Sequence, residues 1–149
     1  MTTMIKVQHD DFDIMQEYEI LRGASPRIGA IVTFTGLVRE FTAGDQTDIF
    51  LEHYPGMTEK VLAEIVEQAK QRWDIIHTTI VHRIGHLSLG EHIVFVGVNS
   101  AHRQDAFDAC EYIMDFLKTE APFWKKEITN QGEAWVEAKA SDSSAKQRW

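Results

Sequence analysis

The sequence predicts an α+β protein with a mainly antiparallel sheet, and three observations carry that expectation. Short segments rich in β-branched residues dominate the chain. Two longer windows instead repeat apolar residues at three-and-four spacing. Glycine or proline punctuates the junctions between these segments. The order read from them is strand, strand, helix, two strands, helix, two strands.

The first thirty residues offer little to read. "GAIVTFTGLVRE", Gly29 to Glu40, reads as a strand entering the loop "FTAGDQTD", and "IFLEHY" follows as a shorter strand. Pro55 and Gly56 then turn the chain into a helix, on which Val61, Leu62, Ile65, Val66, Ala69 and Trp73 form one apolar stripe. "IIHTTIVHRIGHL" and "HIVFVGVNS" read as two strands pairing antiparallel, with Gly90 of the intervening "SLGE" suited to a tight turn. Asn99 or Ser100 can cap a second helix, whose Ala106, Phe107, Cys110, Ile113, Met114 and Leu117 again keep helical spacing. Pro122 cannot continue that helix and biases Ala121 to extended backbone, so "FWKKEITN" leaves as a strand. "EAWVEA" returns beside it across Gln131 and Gly132. The tail "ASDSSAKQRW" has a composition that predicts fraying after about Ala138, so the organisation expected is one domain over residues 1–149 with a loose end from about 139.

Composition narrows the function classes. At 149 residues with 44% hydrophobic content the chain can bury one core. It contains no apolar run long enough to cross a bilayer, and its N-terminus lacks the features of a signal peptide, so a cytoplasmic protein is expected. The single cysteine excludes a disulfide framework within the chain and fits a reducing compartment. Acidic residues number 23 against 15 basic, which opposes general binding to nucleic acid. An anionic ligand therefore needs a local cluster of cations.

Such clusters exist. In "NSAHRQ" a strand runs into a helix start, where free backbone N–H groups attract anions and His102 and Arg103 add donors. In "FLKTEAPFWKKE", Lys118 and Lys125 flank the Pro122 break, with Lys126 adjacent and Phe116, Phe123 and Trp124 around them. Lys118 also suits a helix C-terminus, and Lys125 and Lys126 also suit an alternating solvated strand face. Partial desolvation beside aromatic rings would instead depress a lysine pKa and make the amine reactive. Arg39 ends the first long strand, where a guanidinium can fork onto a phosphate or simply pack its stem. His82 and His86 lie four apart in a strand, about 13 Å at ~3.3 Å per residue, too far to share an ion. His53, His77 and His92 show no ligand spacing, so no metal is expected. Cys110 sits on the apolar stripe of the second helix and reads as a core residue. No nucleophile-elbow, P-loop or dinucleotide-binding glycine motif is present.

Five stretches, "VTFTGLVR", "LEHYPGMTEK", "HRIGHLSLGE", "IVFVGVNSAHR" and "FLKTEAPFWKKE", together resemble the large subunit of molybdopterin synthase, a family of molybdenum-cofactor biosynthesis. The likeness runs from about Gly29 to Ala138 in one order. It implies an α/β hammerhead fold with an added, mainly antiparallel sheet and two main helices. It also implies a homodimer that binds a small ubiquitin-like subunit at each end to make a heterotetramer. That partner carries a C-terminal Gly-Gly thiocarboxylate and supplies the sulfur, so no resident cofactor is expected. The implied activity is a sulfurtransferase that converts cyclic pyranopterin monophosphate into the dithiolene of molybdopterin.

By the same resemblance Lys118 and Lys125 are the catalytic pair, and Lys118 could act covalently on the guest carboxyl terminus. Leu37, Val38, Arg39, His102, Arg103, Lys118, Lys125, Lys126 and Glu127 are the implied substrate-binding residues. Leu37 and Glu40 depart from the family pattern, in which lysine and a neutral polar residue are frequent. Lys139 sits where a basic residue often reaches a substrate phosphate. The rival from another class is a module that docks a ubiquitin-like tail without catalysis, which has no need of a phosphate pocket. A stand-alone phosphotransfer enzyme or hydrolase lacks any supporting base or metal motif.

Overall fold

The two longest apolar strands of the sequence pair with each other at the centre of the fold. A computed structural model describes residues 3–41, 43–44, 47–136 and 140–149. Among these the chain runs β1 (Thr3–Gln8), α1 (Ile14–Arg22), β2 (Ala30–Leu37), β3 (Asp48–His53), α2 (Met57–Arg72), β4 (Ile75–Arg83), β5 (Gly85–Ser88), β6 (His92–Ser100), α3 (Arg103–Glu120), β7 (Phe123–Thr129), β8 (Gly132–Val136) and α4 (Ala140–Lys146). One sheet has the order β1-β4-β6-β2 and the other β5-β3-β7-β8. Only the β1–β4 pair is parallel; the other described pairs are antiparallel. This is the expected α+β architecture, with α2 and α3 as the two long helices.

The first sheet is covered on both faces, which is why β4 and β6 read as nearly unbroken apolar runs. Val94, Val96, Val98 and Ile80 point to one face and pack with Leu62, Ile65 and Val66 of α2 and Ala109, Cys110, Ile113 and Leu117 of α3. Phe95 and Val81, offset by one residue, point to the other face and meet Leu21 of α1. Cys110 is buried as expected, and burial pushes its thiol pKa up to about 12. The second sheet packs Ile49 and Leu51 against Val38 and Leu87.

Several elements differ from the sequence reading. β1 and α1 occupy the stretch that offered little signal; α1 is short, and the Asp13 carboxylate caps it by accepting from the Met15 and Gln16 amides at 3.0 and 3.2 Å. The run 75–87 is two strands, because Gly85 takes a positive φ of 86° and lets β5 cross to the second sheet. β4 and β6 pair antiparallel as expected, but the turn at Gly90 joins β5 to β6 across the two sheets. Asn99 and Ser100 do not cap α3 with their side chains. They end β6 fully buried, and His102 takes the cap position without a side-chain bond.

The tail beyond residue 139 forms α4 in place of the expected fraying. Its anchor is Trp149, whose ring meets Trp73 and Tyr112 edge-on and whose Nε1 donates to Asp115 at 2.7 Å. Polar composition does not reveal one terminal aromatic with a socket. Residues 137–139, including the end of the β8 hairpin expected from "EAWVEA" and the candidate Lys139, lie outside the described residues.

Two polar side chains hold the elements in register. Asn99 Oδ1 accepts from the His77 amide at 2.6 Å, and its Nδ2 donates to the Leu21 carbonyl at 2.8 Å, tying β6 to β4 and α1. Asn99→Ala removes both of these buried hydrogen bonds, so unfolding in denaturant should show a loss of about 2 kcal/mol. His82 of β4 stacks on Phe123 of β7, with ring centroids 3.8 Å apart and planes within 16°, and so links the two sheets. Burial lowers its pKa from 6.5 to about 4, helped by the charges of Lys118 and His53 and opposed by its bond to the Arg83 carbonyl. The fold therefore holds His82 neutral while the unfolded chain protonates. Its contribution is full above about pH 6.5 and lost as pH falls towards 4, by on the order of 3 kcal/mol. Thermal melts between pH 7 and 4 should show this loss, and His82→Phe should flatten it.

Candidate active site

Pro122 decides where the lysines go. α3 stops at Ala121, which adopts extended backbone at φ −72° and ψ 131° before the proline, and the chain reverses into β7. Lys118 lies in the last turn of α3, where the helix C-terminus favours a cation. Lys125 lies three residues into β7, and strand alternation aims it to the same side. Both line one cavity of about 350 Å³ together with Ile49, Leu51, His82 and Phe123. Further wall comes from Leu117 of α3 and Asp142 of α4.

Arg39 lies in the loop after β2. Its guanidinium sits 5.9 Å from the centre of the Phe41 ring, and the Lys125 ammonium sits 6.0 Å from the same centre. Phe41 is thus a shared apolar platform for two cations. The guanidinium donates to the Glu40 carbonyl at 3.1 Å and leaves most of its donors to other partners. Leu37 is about half exposed at the end of β2, beside the register shift that follows Gly36. Val38 turns inward: its side chain is buried in the second-sheet core, and its backbone bonds to Glu91 and Gly90.

Alternation separates the two adjacent lysines. Lys126 faces away from Lys125, pairs with Glu133 at 3.2 Å and lies over the Phe50 and Trp135 rings. Glu127 shares the strand face of Lys125 and is half-buried between Ile49 and Ala134 in register.

His102 and Arg103 are exposed at the N-terminus of α3, where backbone donors and the guanidinium suit an anion. Lys118 is fifteen residues further along that helix, roughly 22 Å at ~1.5 Å per residue. One chain therefore brings Lys118 and Lys125 to one cavity, sets Arg39 and Lys125 about the same Phe41 ring, and leaves His102 and Arg103 at the opposite end of α3. Among the described residues no three His, Cys, Asp or Glu side chains gather as a metal site.

Sequence reasoning missed His82, Phe41 and Asp142 as neighbours of the lysines. His82 was legible as a polar residue on the α3-facing positions of an apolar strand, two residues beyond Ile80. Phe41 and Asp142 sit in a loop and a tail, where no periodicity places a side chain.

Comparison with known proteins shows the family. The family described as "MoaE protein" matches residues 7–120. The molybdopterin synthase catalytic subunit of Pseudomonas aeruginosa is 56% identical over 146 residues, which is 97% of each chain. Among solved structures, the molybdopterin biosynthesis MoaE protein from Burkholderia ambifaria superposes with a TM-score of 0.83 at 49% identity, over 98% of this chain and 97% of that one. The complex of subunits 1 and 2 of molybdopterin-converting factor from Helicobacter pylori shares the fold, with a TM-score of 0.72 at 17% identity over 91% of this chain and 90% of that one. With its cavity lysines flanking the proline break and the family match spanning most of its length, the chain belongs to the MoaE family of molybdopterin synthase catalytic subunits.

Proposed function

We propose that the cavity between α3 and β7 is where sulfur passes from the C-terminal thiocarboxylate of a small ubiquitin-like subunit to cyclic pyranopterin monophosphate. The observation that carries this reading is the convergence of Lys118 and Lys125 on one cavity with apolar walls. A slender Gly-Gly tail has no side chains to exclude it from such a space, and the aliphatic side chains of Ile49, Leu51 and Leu117 lower the local dielectric on one side of the amines. Attack by the thiocarboxylate sulfur on a precursor carbon forms a C–S bond and puts negative charge on the oxygen that is displaced from that carbon; water then cleaves the thioester and releases the partner as its carboxylate. Two ammonium groups fixed beside that position stabilise it, and Arg39 on the Phe41 platform is placed to hold the phosphate. The partner supplies the sulfur, so the chain needs no resident cofactor.

His102 and Arg103 join this site only if a second protomer presents the start of its α3 to the cavity of the first. The reading therefore includes a homodimer, with one small subunit at each end. The Helicobacter pylori relative, solved as a complex of two different subunits, supports a partner of this kind. No described helix is long and apolar enough to cross a membrane, which is compatible with a cytoplasmic reaction.

The test is reconstitution: the chain, the thiocarboxylated small subunit and the precursor, with dithiolene product followed over time. Lys118→Ala should lower turnover by about 100-fold or more with partner docking intact, since one charge-stabilising donor is worth that much. Turnover near wild type in that variant overturns the mechanism. Arg103→Ala should act chiefly on precursor affinity, weakening it about tenfold by calorimetry, as loss of one charged hydrogen bond predicts. Unchanged affinity removes the anion role of the α3 start.

A further inference from the structure

The cavity holds one buried polar group that the sulfur-transfer reading does not use. His82 is 5% exposed, lies at the end of β4, and lines the cavity beside Lys118. Its ring is fixed twice. One face stacks on Phe123, and Nδ1 lies 2.8 Å from the Arg83 carbonyl oxygen. A carbonyl only accepts, so Nδ1 carries the proton and Nε2 of the neutral ring presents a lone pair. The one hydrogen bond described for the ring is that of Nδ1. The ring lines the same cavity as Lys118.

We propose that His82 is a positioning residue, whose Nε2 receives the ammonium of Lys118 and turns it towards the bound reactants. This rests on the sulfur-transfer reading for its chemistry. The charge of Lys118 already acts on His82, and the other charged or titratable groups near the ring are His53 and the cavity's Lys125 and Asp142. A carboxylate at position 82 would pair off the lysine charge and weaken its pull on a developing oxyanion. A neutral imidazole orients the ammonium and leaves its charge available. Burial keeps the ring neutral through the physiological range, so it never turns into a competing cation. With its lone pair committed to an ammonium, His82 donates no proton and serves as no base.

The test compares wild type, His82→Phe and His82→Gln in the reconstituted synthase. His82→Phe keeps a flat ring against Phe123 and removes the acceptor; His82→Gln restores an acceptor at the same reach. Expected is a fall in kcat of about tenfold for the phenylalanine variant, with KM for the precursor unchanged and most of kcat recovered by glutamine. Equal loss in both variants, wild-type kcat in the phenylalanine variant, or an effect confined to KM overturns the proposal. A wild-type chain that fails to turn over sinks the sulfur-transfer reading instead, and a second measurement on the free chain still decides the role of His82. The pH midpoint of Lys118 acylation, read by peptide mass spectrometry, should fall by about half a pH unit or more without the acceptor, because a bond to the ammonium form favours it. An unchanged midpoint overturns the proposal. If His82→Phe does not fold, His82→Leu carries the same two readouts, and failure of both to fold assigns His82 to structure alone.

Discussion

The corner at Ala121 and Pro122 is the constraint on which the site depends. It is held by Thr58, a fully buried residue in the first turn of α2. The Thr58 hydroxyl donates to the Pro122 carbonyl at 3.0 Å and accepts from the Tyr54 amide at 2.9 Å. One side chain thus fixes the end of β3, the start of α2 and the passage from α3 to β7. His82 and Phe123 complete the corner from the first sheet. The last turn of one element and the first residues of the next are thereby set at a fixed angle, and two lysines seven residues apart in sequence face a common space. A freely jointed link at this point would let the amines separate under their mutual repulsion.

Much of this was legible in the sequence, for identifiable reasons. Pro122 forbids helix and Ala121 must be extended, so the break and the strand after it follow from covalent geometry alone. The stripes on α2 and α3 are long enough for their periodicity to be unambiguous. What the sequence hid depended on tertiary partners. α1 has few residues, and its identity comes from Leu21 reaching Val81 and Phe95. The split at Gly85 needs a second sheet to receive β5. Docking of the tail centres on Trp149, joined by ion pairs from Lys146 and Arg148 to α3. For the site, the residue types and their motif positions were readable, whereas the separation of Lys126 from Lys125 follows from strand alternation and the distance of His102 from Lys118 follows from helix length. Neither Phe41 nor Asp142 belongs to a periodic element, so no spacing argument reaches them.

Charge is arranged with the same economy. The chain carries a formal net charge of -8, yet the cations that line the cavity are set against rings and aliphatic walls. Several other cations are matched on the surface, including Lys126 with Glu133, Lys146 with Glu120 and Arg148 with Glu111. Exposed pairs of this kind add little stability. Their effect is to offset part of the basic charge locally on an acidic molecule, while Lys118 and Lys125 line the cavity.

Cys110 gives this arrangement a chemical quietness. It is the only thiol in the chain, it sits among the aliphatic side chains of α2 and α3, and burial holds it protonated with a pKa of about 12. A thiolate is the form that exchanges with persulfides, disulfides and alkylating agents. The one cysteine of the scaffold is therefore closed to thiol exchange, and oxidants that act on thiolates find it protonated and buried.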